Sequence, residues 1–448
     1  MCPTISPAAP ADVCWRQGRG DMINQSPGKD KWFTAFCTAC HPEKPCILVH
    51  QLLEYLHSCS FVQQNRIGMK LIADTNIPFV KDCFASAGEV LLVPGRQMTG
   101  ALLKDADALL IRSVTPVNAA LLEGSRVRFV ATATIGFDHV DRGYLDSRGI
   151  GFASAPGSNA NSVGEYVVAA MHVIARRKRF ELAGKSLGIV GVGNVGSRVE
   201  AKARALGMNV VLNDPPLARQ TGDPKYRPLE ELFQCDFITF HVPLNKSGPD
   251  ETYHMVDQKL FSLLKTGIVF MNSSRGAVME TGAVKNAIRS GKVGACVLDV
   301  WENEPNIDAE LLSLVDIATP HIAGYSYDGK VAGMIMIYEA FCTYFGTDIS
   351  HTIGDFLPAP AVPSIHIDGR SAPTQDLIHS AVKSLYDIMA DDANMRQMLS
   401  FPDGQRGPYF DKLRKDYPVR REFQNTRIIL KNAPAELAAR FRGIGFEV

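Results

Sequence analysis

The chain has 448 residues, too many for one ordinary hydrophobic core, which points to two or three domains. Lysine plus arginine number 47 and aspartate plus glutamate number 47, so the basic excess of a nucleic-acid-binding surface is missing. Hydrophobic residues at 46% and charged residues at 21% fit a soluble globular protein, and no apolar run reaches the roughly 18–20 residues of a membrane helix.

Six of the ten cysteines (Cys2, Cys14, Cys37, Cys40, Cys46 and Cys59) precede Met69. The other four (Cys83, Cys235, Cys296 and Cys342) stand singly in apolar contexts, the pattern of reduced thiols in a cytosolic enzyme. Residues 1–68 therefore read as a different kind of sequence. Cys37-Thr38-Ala39-Cys40-His41 has the C-x-x-C-H spacing of haem attachment, and Cys46, His50, His57 and Cys59 offer further zinc-type ligands. A haem protein needs export, yet Met1-Cys2-Pro3 opens no basic or apolar signal region, and zinc sites usually pair two close couples of ligands. The expectation is an unassigned extension, disordered or translated from a misplaced start, with no metal or haem.

From Met69 onward short apolar runs alternate with helical patterns. Lys70–Asp74, Val90–Val93, Ala108–Ile111 and Arg128–Ala131 read as buried strands. Ser162 is placed as the cap of a long helix over Val163–Arg177, whose basic last turn suits the macrodipole. The pattern then restarts with Lys185–Val190, Asn209–Leu212, Phe237–Phe240, Ile268–Met271, Ala295–Leu298 and Ile317–Ala318. Two parallel sheets with covering helices follow from this alternation. Prolines 358, 360 and 363 mark a further change of character, and Leu377, Ile378, Ala381, Leu385 and Ile388 are spaced as one helix covering a sheet.

The strand ending at Val190 runs into Gly191-Val192-Gly193-Asn194-Val195-Gly196, a full G-x-G-x-x-G followed by a helical pattern that stops at Gly207. The glycines allow a tight turn and close backbone approach, so that a pyrophosphate can sit on the helix N-terminus. Asp214 ends the next strand 18 residues after Gly196, the place of an acid that binds ribose hydroxyls. An acid there repels a 2′-phosphate, which favours NAD over NADP.

Three further strand ends carry candidate chemistry: Asn272-Ser273-Ser274-Arg275-Gly276, Asp299 to Pro305, and Pro320 to Gly324. Oxidation of a 2-hydroxy acid needs a cation for the carboxylate and a base for the hydroxyl proton. Arg275 can hold a carboxylate bidentately. His321 is the candidate base, with Glu304 orienting its ring and raising its basicity. Eight histidines lie beyond residue 68, so composition alone does not select His321. Its order after an Arg and a Glu, each beyond the fingerprint, does. His241, also at a strand end, is expected near the cofactor.

On these motifs the chain from Met69 resembles the D-isomer-specific 2-hydroxyacid dehydrogenases. Ala73 to Pro78, Ile111 to Thr115, Ala131 to His139, His321 to Ser326 and Val419 to Phe423 resemble the branch of that family that acts on 4-phospho-D-erythronate in vitamin B6 biosynthesis. The resemblance implies catalytic Arg275, Glu304 and His321, and substrate contacts from Ser113, Thr134 and Tyr325. It implies an NAD site formed by Gly191, Gly193, Asn194, Val195, Gly196, Asp214, Val242 (through its backbone), Ser273, Ser274, Arg275, Asp299 and Gly324. For the substrate phosphate Arg112 is the candidate, with Arg420 or Arg421 of a partner subunit behind it.

The expected fold is α/β. A flavodoxin-like substrate domain (69–167 and 321–345) and a Rossmann NAD domain (168–320) are both doubly wound, and an α+β dimerisation domain (346–448) completes a cytoplasmic homodimer. The expected substrate is a small phosphorylated 2-hydroxy acid, with no nucleic acid, membrane or metal. A phosphoglycerate dehydrogenase is the nearest competing activity.

Overall fold

The computed structural model describes residues 68–448. The C-x-x-C-H motif and all but the last residue of the 1–68 segment lie outside the described residues.

The first sheet contains β1 (Met69–Asp74), β2 (Gly88–Val93), β3 (Ala108–Ile111), β4 (Phe129–Thr132) and β5 (Gly151–Ala153). All its pairings are parallel, in the order β2-β1-β3-β4-β5. Ala108, Leu109, Leu110 and Ile111 are fully buried, as expected of a central strand covered on both faces. The strand order reverses between β1 and β3, so the loop after β3, which carries Arg112 and Ser113, opens at a topological switch point.

A long helix, α1 (Ala160–Lys178), leads to the second sheet. It starts earlier than the sequence predicts, with Asn159 at the N-cap. Ser162 is not the cap: it lies inside the first turn and donates to the Ala323 carbonyl. The second sheet holds β6 (Ser186–Val190), β7 (Asn209–Asn213), β8 (Phe237–Phe240), β9 (Ile268–Asn272), β10 (Val293–Leu298) and β11 (Ile317–Ala318). It too is all parallel, ordered β11-β10-β9-β8-β6-β7, and α2 (Asn194–Ala205) follows β6. The chain returns to the first sheet through α3 (Tyr327–Phe345), whose Val331, Met334, Ile337 and Phe341 pack with Leu71, Leu110 and Phe129. No described helix is long and apolar enough to cross a membrane.

The C-terminal region adds β12 (Ser364–Asp368), α4 (Thr374–Leu385), α5 (Ile388–Arg396), α6 (Asp403–Lys415), β13 (Arg427–Lys431) and α7 (Ala435–Ile444). The strands β12 and β13 pair in parallel. The single predicted helix is broken: it ends at Leu385, and Ile388 opens α5, with Asp387 accepting from the Met389 amide. This region shares a core with the second sheet, since Phe441 and Ile444 belong to one buried cluster with Ile189, Val199 and Ala203. Gly443 permits that contact, because a Cβ there would lie 2.3 Å from the Ala205 Cβ.

Candidate active site

One cavity of about 950 Å³ is lined by residues following the strands of both sheets, by the start of α3 and by α6. The loops that carry Arg275 and His321 are fixed by local hydrogen bonds. After β9, Asn272 Oδ1 accepts from the Ser274 amide (3.0 Å) and hydroxyl (2.8 Å), while its Nδ2 donates to the Arg275 carbonyl. Gly276 lets this loop pass the next one, since a Cβ would lie 1.9 Å from the Trp301 carbonyl oxygen. Arg275 is thereby presented to the cavity. Its Nε donates to Asp138 Oδ2 at 3.0 Å, and its Nη1 donates to the Ser274 carbonyl.

His321 Nδ1 lies 2.8 Å from Glu304 Oε2, and Glu304 Oε1 accepts from the Trp301 amide at 2.9 Å. Burial pushes the Glu304 carboxyl upward, but the charge and hydrogen bond of His321, then Arg414 and the Trp301 amide, outweigh it and hold the carboxyl below its usual range. His321 takes a left-handed backbone conformation, φ +59°. Such a residue persists only where its surroundings over-determine it. Asp299 supplies the restraint: its carbonyl accepts from the His321 amide, and its carboxylate accepts from Thr319 Oγ1 and the Ile322 and Ala323 amides. With Nδ1 engaged, Nε2 is the ring nitrogen left for proton transfer.

Of the predicted residues, Ser113, Thr134, Asn194, Val195, Val242, Ser273, Ser274, Gly324 and Tyr325 also line this cavity. Asp299 lies on its wall at 1% exposure, its oxygens turned to the backbone of the His321 loop. Gly324 admits Asn159, whose Nδ2 would stand 2.1 Å from a Cβ. His241 lies on the wall as well. Burial lowers its pKa to about 3, so it is neutral, with Nε2 3.0 Å from Thr239 Oγ1.

Gly191, Gly193, Gly196 and Asp214 lie at the ends of β6 and β7, in and beside the loop whose Asn194 and Val195 line the cavity. Gly191 has φ +86°, and a Cβ on Gly196 would lie 2.0 Å from the Gly191 carbonyl oxygen. Nothing stands within 4 Å of where a Gly193 Cβ would be, and no side chain caps α2, so no side chain occupies its N-terminal amides. Asp214 Oδ2 accepts from the Val192 amide at 2.8 Å, which joins the end of β7 to the glycine loop. This donor set fits a dinucleotide: amides for the pyrophosphate and a carboxylate for ribose hydroxyls.

Residues 164–323 match the family described as D-isomer specific 2-hydroxyacid dehydrogenase, NAD binding domain. Residues 356–445 match one described as a domain of unknown function (DUF3410). Erythronate-4-phosphate dehydrogenase of Proteus mirabilis is 45% identical over 379 residues, 84% of this chain and 99% of that protein. The protein of the same name from Hahella chejuensis is 42% identical over 380 residues, 85% of this chain and 99% of that one. The chain belongs to the D-isomer-specific 2-hydroxyacid dehydrogenase family, on its erythronate-4-phosphate dehydrogenase branch.

As a member of that family it is an NAD-dependent dehydrogenase. D-lactate dehydrogenase of Aquifex aeolicus, solved with NAD and lactic acid, is 25% identical and superposes with a TM-score of 0.54 over 62% of this chain and 95% of its own. NAD⁺-bound 3-phosphoglycerate dehydrogenase of Entamoeba histolytica, at 24% identity, shares the fold with a TM-score of 0.55, over 65% of this chain and 100% of its own.

Sequence reasoning missed Asp138, Lys330 and Arg414 on the cavity wall. The alternative to Arg112, in which Arg420 or Arg421 reaches the phosphate from a partner subunit, does not fit the structure. Arg420 is buried, donating to Ser162 Oγ and the Ala323 carbonyl, and Arg421 pairs with Asp328 within the same chain. Arg112 does reach the cavity. Asp138 lies within a segment that the sequence had singled out, but nothing in the sequence shows that its carboxylate faces Arg275.

Proposed function

We propose that the protein oxidises 4-phospho-D-erythronate at C2 to 2-oxo-3-hydroxy-4-phosphobutanoate, in pyridoxal 5′-phosphate biosynthesis. The observation that carries this reading is the single cavity onto which Arg275 and the hydrogen-bonded Glu304–His321 pair both open. The chain also aligns with nearly the full length of relatives bearing that activity's name.

In this reading Arg275 holds the substrate carboxylate and fixes C2 relative to His321. Nε2 of His321 takes the C2 hydroxyl proton, while Glu304 keeps Nδ1 protonated and balances the charge that forms on the ring. Ser113, Thr134 and Tyr325 contact the rest of the substrate. The Gly191–Gly196 loop and Asp214 hold NAD⁺, with Asn194, Val195, Val242, Ser273, Ser274, Asp299 and Gly324 lining its site. NAD⁺, when bound, supplies the acceptor for the hydrogen leaving C2. Segments 69–167 and 321–345 serve as the substrate domain and 168–320 as the cofactor domain, and 346–448 pairs two subunits of a cytoplasmic homodimer.

NADH formation at 340 nm, with a panel of 4-phospho-D-erythronate, 3-phospho-D-glycerate and D-lactate, tests the reading. The first is expected to have the highest kcat/KM, and preference for either of the others would overturn the assignment. Light scattering on the full chain tests the dimer.

A further inference from the structure

Three cations converge on one aromatic ring at the cavity wall. The Arg112 guanidinium carbon lies 5.4 Å from the Tyr325 ring centroid, Lys330 Nζ 4.5 Å and the Arg414 guanidinium carbon 5.8 Å. Each comes from a different part of the fold: the loop after β3, the first turn of α3 and the last turn of α6. All three line the cavity that holds Arg275 and His321.

Among the described residues none of the three has a carboxylate within ion-pair distance. The ion pairs on the cavity wall join other groups: Arg275 to Asp138, His321 to Glu304 and Arg96 to Asp411. Arg112 donates only to the Asn76 carbonyl, and Arg414 Nε is buried without a partner. Like charges gathered around a ring repel one another, and cation–π attraction offsets only part of that repulsion. A buried donor without an acceptor costs free energy that a ligand can recover.

We propose that Arg112, Lys330 and Arg414 form the seat for the substrate phosphate, and that the C-terminal domain completes the substrate site of its own chain through Arg414. The inference rests on the function proposed above and deepens it. A phosphate dianion supplies two negative charges and three acceptor oxygens to the unpaired donors, and planar guanidinium groups suit it. It also gives the domain of unknown function a part in substrate selection.

Burial, followed by Arg112, Arg420 and Arg414, brings the Lys330 ammonium down from 10.5 to about 7. Tyr325 and Tyr417 face it as well, with ring centroids 4.5 and 5.8 Å from Nζ. The free protein therefore loses this charge as pH rises through neutrality, and a bound dianion restores it.

The test compares kcat/KM for 4-phospho-D-erythronate and for D-erythronate in the full chain and in Arg414→Ala, Arg414→Lys and Lys330→Arg. Arg414→Ala is expected to lower the ratio of the two constants by about 10–100-fold, with partial recovery in Arg414→Lys. Equal losses for both substrates overturn the proposal. From pH 7.5 to 9, where phosphate is already a dianion, the wild-type ratio should fall by about tenfold and the Lys330→Arg ratio should not. Parallel curves overturn the role of Lys330. If the wild-type chain does not turn over 4-phospho-D-erythronate, the functional reading has failed. Calorimetry with inorganic phosphate still decides the seat in that case: binding lost in Arg414→Ala supports it, and equal or absent binding in both proteins refutes it. Phosphate that competes with NAD⁺ instead of substrate also overturns it.

Discussion

Arg275 reaches across the cleft to Asp138, with its Nε 3.0 Å from a carboxylate oxygen that the other sheet contributes. Gly136 makes room for this contact, because a Cβ there would collide with the guanidinium. The side chains are 31% and 50% exposed, so the pair is worth at most about 1 kcal/mol. In the proposed function a substrate carboxylate has to compete with it. Asp138→Asn should therefore lower KM about 2–5-fold without raising kcat. Steady-state kinetics decide: a higher KM would mean that Asp138 aims the guanidinium and does not occupy it.

The Glu304–His321 pair predicts graded losses. His321→Ala removes the proposed base and should cost about 10²–10⁴ in kcat. Glu304→Gln keeps a hydrogen-bonding side chain 2.8 Å from Nδ1 but removes its charge, and should cost less, about 10–100-fold. Equal losses for the two variants would show that Glu304 does more than orient and balance the ring. Binding of NADH, followed by fluorescence, should survive in both, since neither residue belongs to the glycine-loop cradle.

Much of this was legible in the sequence, for identifiable reasons. The strands β3, β8 and β11 have the predicted bounds because each is a fully buried run, apolar but for Thr239, ended by a polar residue. The strand β5 was missed: its three residues Gly151-Phe152-Ala153 are too short to show a period. Ser162 looked like a cap because serine commonly is one, but its hydroxyl serves the Ala323 carbonyl, 161 residues away. Arg275, Glu304 and His321 could be singled out because each follows its own strand, strand ends converge in an open parallel sheet, and the structure brings all three to one cavity. Lys330 and Arg414 follow no such rule. Each is one cation on a helix, indistinguishable in sequence from a solvated charge, and only the tertiary structure shows that both stand over the Tyr325 ring.

Arg421 and Asp328 tie the C-terminal region to the start of α3 through two contacts, 2.9 and 3.1 Å, at side-chain exposures of 10% and 5%. Asp328 also accepts from the Glu422 amide and from Asn425 Nδ2. Removing Arg421 leaves the buried Asp328 carboxylate with two neutral donors and no counter-charge. Arg421→Ala should lower unfolding stability by about 3–5 kcal/mol. Urea denaturation measures this, and a loss below about 1 kcal/mol would show that water reaches the abandoned carboxylate.

His172 lies in α1 at 2% exposure, and neither ring nitrogen has a partner. Burial, aided by His379 with its ring centroid 6.1 Å away, lowers its pKa from 6.5 to about 3. The unfolded chain takes up this proton near pH 6.5, whereas the folded protein resists it until about pH 3. Between those values unfolding binds a proton, so the stability is fully present above pH 6.5 and is lost as pH falls. By pH 5 the loss from this one group is about 2 kcal/mol. His172→Leu removes both the ionisable group and the two unpartnered nitrogens while keeping an apolar body in the helix. The variant should be at least as stable as wild type at pH 7.5, and should lose about 2 kcal/mol less between pH 6.5 and 5. His241, lowered to about 3, and His139, lowered to about 4, keep part of the acid sensitivity in place. Urea midpoints at pH 7.5, 6.5, 5.5 and 5 would show the difference. An acid limb of unchanged slope would mean that water already solvates the His172 ring.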